Sequence, residues 1–204
     1  MITQTKSLEN FIKSIDDLIM VVHDANNKII ASEVEEFVYK NSNFLTKSFL
    51  INLCSHLEIY IKDALEELLW EIINRLNSHK IPYNLIRWNL ESKPKWSTQI
   101  WQLLERKKRR FECFKIHINK KDFENFISWN PQKTKELFTM FWINLEENIS
   151  FQSSRDIIQN IIQKRNNILH HNDNASDLSN KDILDGIEEF RKYVINLDSL
   201  IVSS

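Results

Sequence analysis

Apolar residues recur along this chain at three- and four-residue spacing. Leu8, Phe11, Ile12, Ile15, Leu18, Ile19 and Val22 predict a first helix over residues 5–23. Asp24-Ala25-Asn26-Asn27 reads as a break, and residues 29–39 form a second, weaker helical run. The longest periodic segment covers residues 43–77. With Leu50 set to zero and about 100° per residue, Leu53, Cys54, Leu57, Ile61, Leu65, Leu69 and Ile72 gather in one arc of roughly 160°.

Residues 79–97, with Pro82 and Pro94, are the most loop-like stretch, and a helix is predicted over residues 98–114. Residues 116–129 have no decisive period. Asn130-Pro131 makes a helix start, Asn as cap and Pro at the first position, for a helix running to about residue 148. Ser153 or Ser154 is the expected cap of the next helix, with Asp156 in its first turn. The polar run 172–177 ends that helix. Ser179 caps the last one, with Asp182 three residues on as an approximate capping box. Ile183, Leu184, Ile187, Phe190, Val194, Leu197 and Ile201 form its buried stripe, and Gly186 within it points to close packing.

Composition sharpens the fold class. A single Gly and three Pro leave little material for tight β-turns, so the pattern implies an all-α protein. With 204 residues the chain is long enough for one domain with a real core. The expected architecture is an up-and-down helical bundle over residues 1–204, with residues 79–129 as an inserted helical or loop segment, or cap. Net charge of −1 and a pI of about 6.6 give no whole-molecule basic field, so any nucleic-acid site must be local. Two scattered cysteines suit neither a disulfide framework nor a zinc site. The N-terminus lacks a signal-peptide pattern and no stretch has the length of a membrane span. A reduced cytoplasm, with no metal or cofactor, is the expected setting.

Two charges break the apolar pattern. Arg165 falls at about 80° in an arc that Ile157, Ile161, Ile162, Ile168 and Leu169 otherwise keep apolar. Glu58 falls at about 80° within the arc of its own helix. Buried charges need partners, so the two are expected to meet, either as a structural ion pair or within a site. His56 lies outside the arc, exposed or directed at a partner. His170 and His171 follow Arg165, with Asn166 one turn before His170, so a cation, an amide and an imidazole gather at one helix end. The run Arg106-Lys107-Lys108-Arg109-Arg110, beside Phe111 and Phe114, is either a solvated helix face or a phosphate-backbone contact.

Arg165-Asn166-Asn167-Ile168-Leu169-His170 resembles the R-N-x-x-x-H signature of the HEPN superfamily. Residues 44–62 resemble the long helix preceding the motif in its MAE-type (RiboL-PSP-HEPN-like) branch, and residues 178–182 resemble the opening of that branch's final helix. The resemblance implies a metal-independent endoribonuclease acting on RNA as a homodimer. His170 would serve as general acid/base, Arg165 as phosphate clamp and Asn166 as orienting group, with Glu58, His56 and His171 in support. It also implies a toxin–antitoxin or phage-defence setting, with an antitoxin or operon protein as partner. Two positions depart from the family. His171 stands where a small residue is common. Asn172 stands where some toxin members carry a tyrosine that is adenylylated. The competing expectation is a non-catalytic helical module that dimerises and binds RNA, a nucleotide or a protein.

Overall fold

The computed structural model describes residues 4–30, 36–81, 113, 115, 123, 127, 128, 130–171 and 174–203. They form an all-α bundle with no strand among the described residues. The helices are α1 (Lys6–Ile30), α2 (Glu36–Lys40), α3 (Ser42–Ser78), α4 (Pro131–Thr139), α5 (Ile149–His171) and α6 (Asn180–Ser203). Backbone contacts divide the chain into two compact units, Met1–Glu67 with Phe123–Ser204, and Leu68–Asp122. The second unit holds the last turns of α3. The predicted helix over residues 98–114 and most of the expected insertion, residues 79–129, lie outside the described residues.

The first unit is built on α6, which packs against both α1 and α5. Ile183, Ile187, Phe190, Val194 and Leu197 of α6 are fully buried, as are Leu53, Leu57, Ile61 and Leu65 of α3. Phe151, Ile158 and Ile162 of α5 join them, and the rings of Phe151 and Tyr193 lie 4.9 Å apart. Gly186 sits where three helices meet. A Cβ there would lie 3.4 Å from Ile161 Cδ1 on α5 and 3.7 Å from Leu53 Cδ2 on α3, the close approach expected from sequence.

The start of α1 is fixed from a distance. Glu67 of α3 accepts the backbone N–H groups of Lys6 (3.0 Å) and Ser7 (2.8 Å), which have no partner inside their own helix. Asp198 of α6, 2 % exposed, accepts the Thr5 N–H (3.1 Å), the Thr5 hydroxyl and the Tyr60 hydroxyl (3.2 Å). One buried carboxylate thus joins α1, α3 and α6.

Three predicted boundaries are corrected. α1 runs through the expected break at residues 24–27. That stretch has no Gly or Pro, Ala25 is buried, and Asp24 pairs with Lys28 one turn on (3.2 Å). α4 stops at Thr139, well before residue 148. Its end is a Schellman-type closure. Ile143 N–H donates to Phe138 O (3.2 Å) and Trp142 N–H to Thr139 O (3.1 Å), with Ile143 and Phe138 buried together. α5 then begins at Ile149, capped by Asn148, whose Oδ1 accepts the Phe151 N–H (2.8 Å), so neither Ser153 nor Ser154 is the cap. By contrast, the capping box of α6 is as expected, with Ser179 and Asp182 bonded reciprocally (Ser179 N to Asp182 Oδ2, 2.8 Å).

Candidate active site

α5 carries the R-N-x-x-x-H run on its last two turns. Phe151, Ile158 and Ile162 share one face, within about 40° of each other, and all three are buried. Arg165 lies on the edge of that face and is half-buried. Its Nη1 donates to Asn166 Oδ1 (2.9 Å), so the amide next in sequence holds the guanidinium. Asn166 is half-buried as well. His170, one turn after Asn166 and about 40° round from it, is exposed, as is His171. The motif therefore runs from a guanidinium at the edge of the core to imidazoles in solvent.

The end of α5 outruns its packing partners. Leu169 sits at the same helical angle as Phe151, yet it is 45 % exposed against 1 % for Phe151. An apolar side chain on the core-facing stripe is left uncovered beside His170.

On α3, Cys54 feels the Arg165 charge. Burial pushes the Cys54 thiol up to about 12, and the Arg165 charge pulls it the other way. The expected meeting of Arg165 with Glu58 is not found: Glu58 is half-buried and makes no ion pair among the described residues. It sits one turn beyond Cys54 on the same side of α3. His56 lies about 200° from Cys54, on the other side of α3. It is half-buried, and that burial holds its imidazole below the ordinary histidine value. The basic run 106–110 lies outside the described residues. Among the described residues no three His, Cys, Asp or Glu side chains gather as metal ligands.

Two features are not foreseen from sequence. The apolar pattern marks Cys54 only as a small core residue; its place one turn before Glu58 is the available signal. Lys164, next to Arg165, pairs with Asp177 in the loop after the motif (2.7 Å). Periodicity cannot reveal a contact between a helix and an irregular loop.

A sequence profile of the RiboL-PSP-HEPN family matches residues 8–203. The chain belongs to that family. The match spans more than the stretches that carry the resemblance, since it includes the whole middle of the chain. No curated protein and no solved structure matches. RiboL-PSP-HEPN membership carries a nuclease-like or RNA-related function, HEPN domains being generally associated with ribonuclease activity. No helix among the described residues is long and apolar enough to cross a membrane.

Proposed function

We propose that this RiboL-PSP-HEPN chain is a metal-independent endoribonuclease that uses the substrate's own 2′-hydroxyl as nucleophile. The observation that carries the reading is the division of labour along α5: Arg165 held by Asn166 at the edge of the core, and His170 in solvent one turn later. The 2′-oxygen attacks the adjacent phosphorus as a base takes its proton. The P–O5′ bond breaks as an acid protonates the leaving oxygen, giving a 2′,3′-cyclic phosphate and a 5′-hydroxyl. Imidazoles suit both proton transfers near neutrality, and such assistance contributes on the order of 10²–10⁴-fold. The phosphorane gains negative charge that the forked donors of Arg165 stabilise.

Arg165 and His170 diverge by about 140° round one helix. A homodimer with two motif helices facing across a two-fold axis resolves this, with base and acid drawn from the two His170 side chains. The uncovered Leu169 gives the second copy an apolar contact beside the site. The cytoplasmic setting is a toxin–antitoxin or phage-defence system, with an antitoxin or operon protein as further partner.

An RNA in which a mapped cleavage position carries a single 2′-deoxy nucleotide tests the chemistry. Cleavage there should fall below detection while neighbouring positions are cut as before. Cleavage at the deoxy position at the unmodified rate would exclude attack by the 2′-hydroxyl.

A further inference from the structure

A cavity of about 370 Å³ opens between the end of α1, the start of α3 and the loop that joins the motif helix to α6. That volume falls in the usual range of small-molecule sites. Its polar lining includes Asn26 of α1, Ser42, Asn43 and Thr46 of α3, Ser176 of the loop and Lys181 of α6. Thr46 and Asn43 are engaged: the Thr46 hydroxyl lies 2.9 Å from Asn180 Oδ1, and Asn43 Nδ2 donates to Asn174 O (2.9 Å). The Asn26 amide and the Ser176 hydroxyl have no hydrogen-bond partner, and Lys181 makes no direct ion pair, among the described residues. No carboxylate among the described residues lines the cavity. Uncommitted amide and hydroxyl groups beside a cation suit a ligand with hydrogen-bonding edges and an anionic backbone.

The cavity is tied to the motif. The loop bearing Ser176 is held to α5 by the ion pair from Asp177 to Lys164, the residue before Arg165 (2.7 Å). On the other side, Asn43 holds Asn174, three residues after His171. We propose that this cavity is a base-binding subsite for single-stranded RNA, taking the nucleotide beside the scissile phosphate; the proposal rests on the ribonuclease reading above. Proteins read single-stranded RNA by splaying a base out and bonding its edges, which an amide and hydroxyls can do, while a lysine contacts the phosphate. The Asn26 amide and the Ser176 hydroxyl meet the base edge, and Lys181 meets the flanking phosphate.

Equilibrium binding tests this without turnover. Fluorescein-labelled 2′-O-methyl hexanucleotides of A, C and U, which lack the 2′-hydroxyl nucleophile, are titrated against the wild type and the Asn26→Ala/Lys181→Ala double variant. The substituted side chains hold no other part of the protein among the described residues, so the fold should be kept, as circular dichroism would verify. The wild type should prefer one sequence by about tenfold, and the double variant should bind all three alike and at least about tenfold more weakly. Identical binding by both proteins, or wild-type binding too weak to titrate, would overturn the subsite. So would equal weakening with no wild-type preference, which leaves a phosphate contact only. Cleavage of unmodified RNA by the wild type, run in parallel, judges the ribonuclease reading separately: its failure leaves the titration result for the cavity standing.

Discussion

At the scale of single residues, the informative positions are those where a polar group sits among apolar ones. Asp198 is the strongest structural case, a buried carboxylate serving donors from Thr5 and Tyr60. Asp198→Ala strips those donors of their acceptor and should lower stability by about 3 kcal/mol, read as a shift in urea midpoint. A loss below about 1 kcal/mol would show that the cluster contributes little. Sequence periodicity shows Asp198 as one polar residue in a helix and cannot reveal that Thr5 and Tyr60 converge on it. Arg165, in contrast, is legible because a cation interrupts an apolar arc, although Glu58, the partner that periodicity suggests, makes no ion pair among the described residues. Cys54 gives a pH test. Its thiol rises from 9.0 unfolded to about 12 folded, chiefly through burial. Between those values the unfolded chain has lost a proton that the folded chain keeps, so stability is complete below pH 9 and falls as pH rises. Burial of the Tyr60 and Tyr193 phenols adds to the fall above pH 10. Denaturation midpoints of the wild type should therefore drop beyond pH 9, and Cys54→Ala should flatten the first part of the drop.

At the scale of elements, helix existence is readable from sequence and helix ends only in part, the Asn130 and Ser179 caps being legible and the C-terminus of α4 not. The 37 residues of α3 and the 24 of α6 follow apolar stripes long enough to outweigh single interruptions such as Glu58 and Asp198. The reading of α4 fails at its C-terminus because the apolar pattern continues past the point where the backbone turns back. Trp142 takes the position usually given to Gly, with φ of 65° and 96 % of its surface exposed. No sequence rule places a tryptophan there. The ring packs on almost nothing, and the left-handed backbone is strained for any residue with a Cβ. Trp142→Gly should thus leave thermal stability unchanged or raise it by up to about 1 kcal/mol, relief of strain slightly exceeding glycine's entropy in the unfolded chain. A clear loss of melting temperature would mean that the ring is held by contacts beyond these.

At the scale of the whole molecule, low Gly and Pro content and long amphipathic runs are enough for an all-α bundle, and the short motif with its flanking helices is enough for the family. The predicted helix over residues 98–114 and most of residues 79–129 lie outside the described residues. The site is readable only in part from one chain, since Arg165 and His170 diverge on α5 and Leu169 is left uncovered beside them. The central claim is that this arrangement cleaves RNA without metal through His170. The most direct measurement is cleavage of total RNA in excess EDTA by the wild type and His170→Ala, matched for folding by circular dichroism. EDTA-resistant cleavage that falls by at least about 10²-fold in the variant is the predicted result. Equal cleavage by the two proteins, or cleavage that EDTA abolishes, would contradict it.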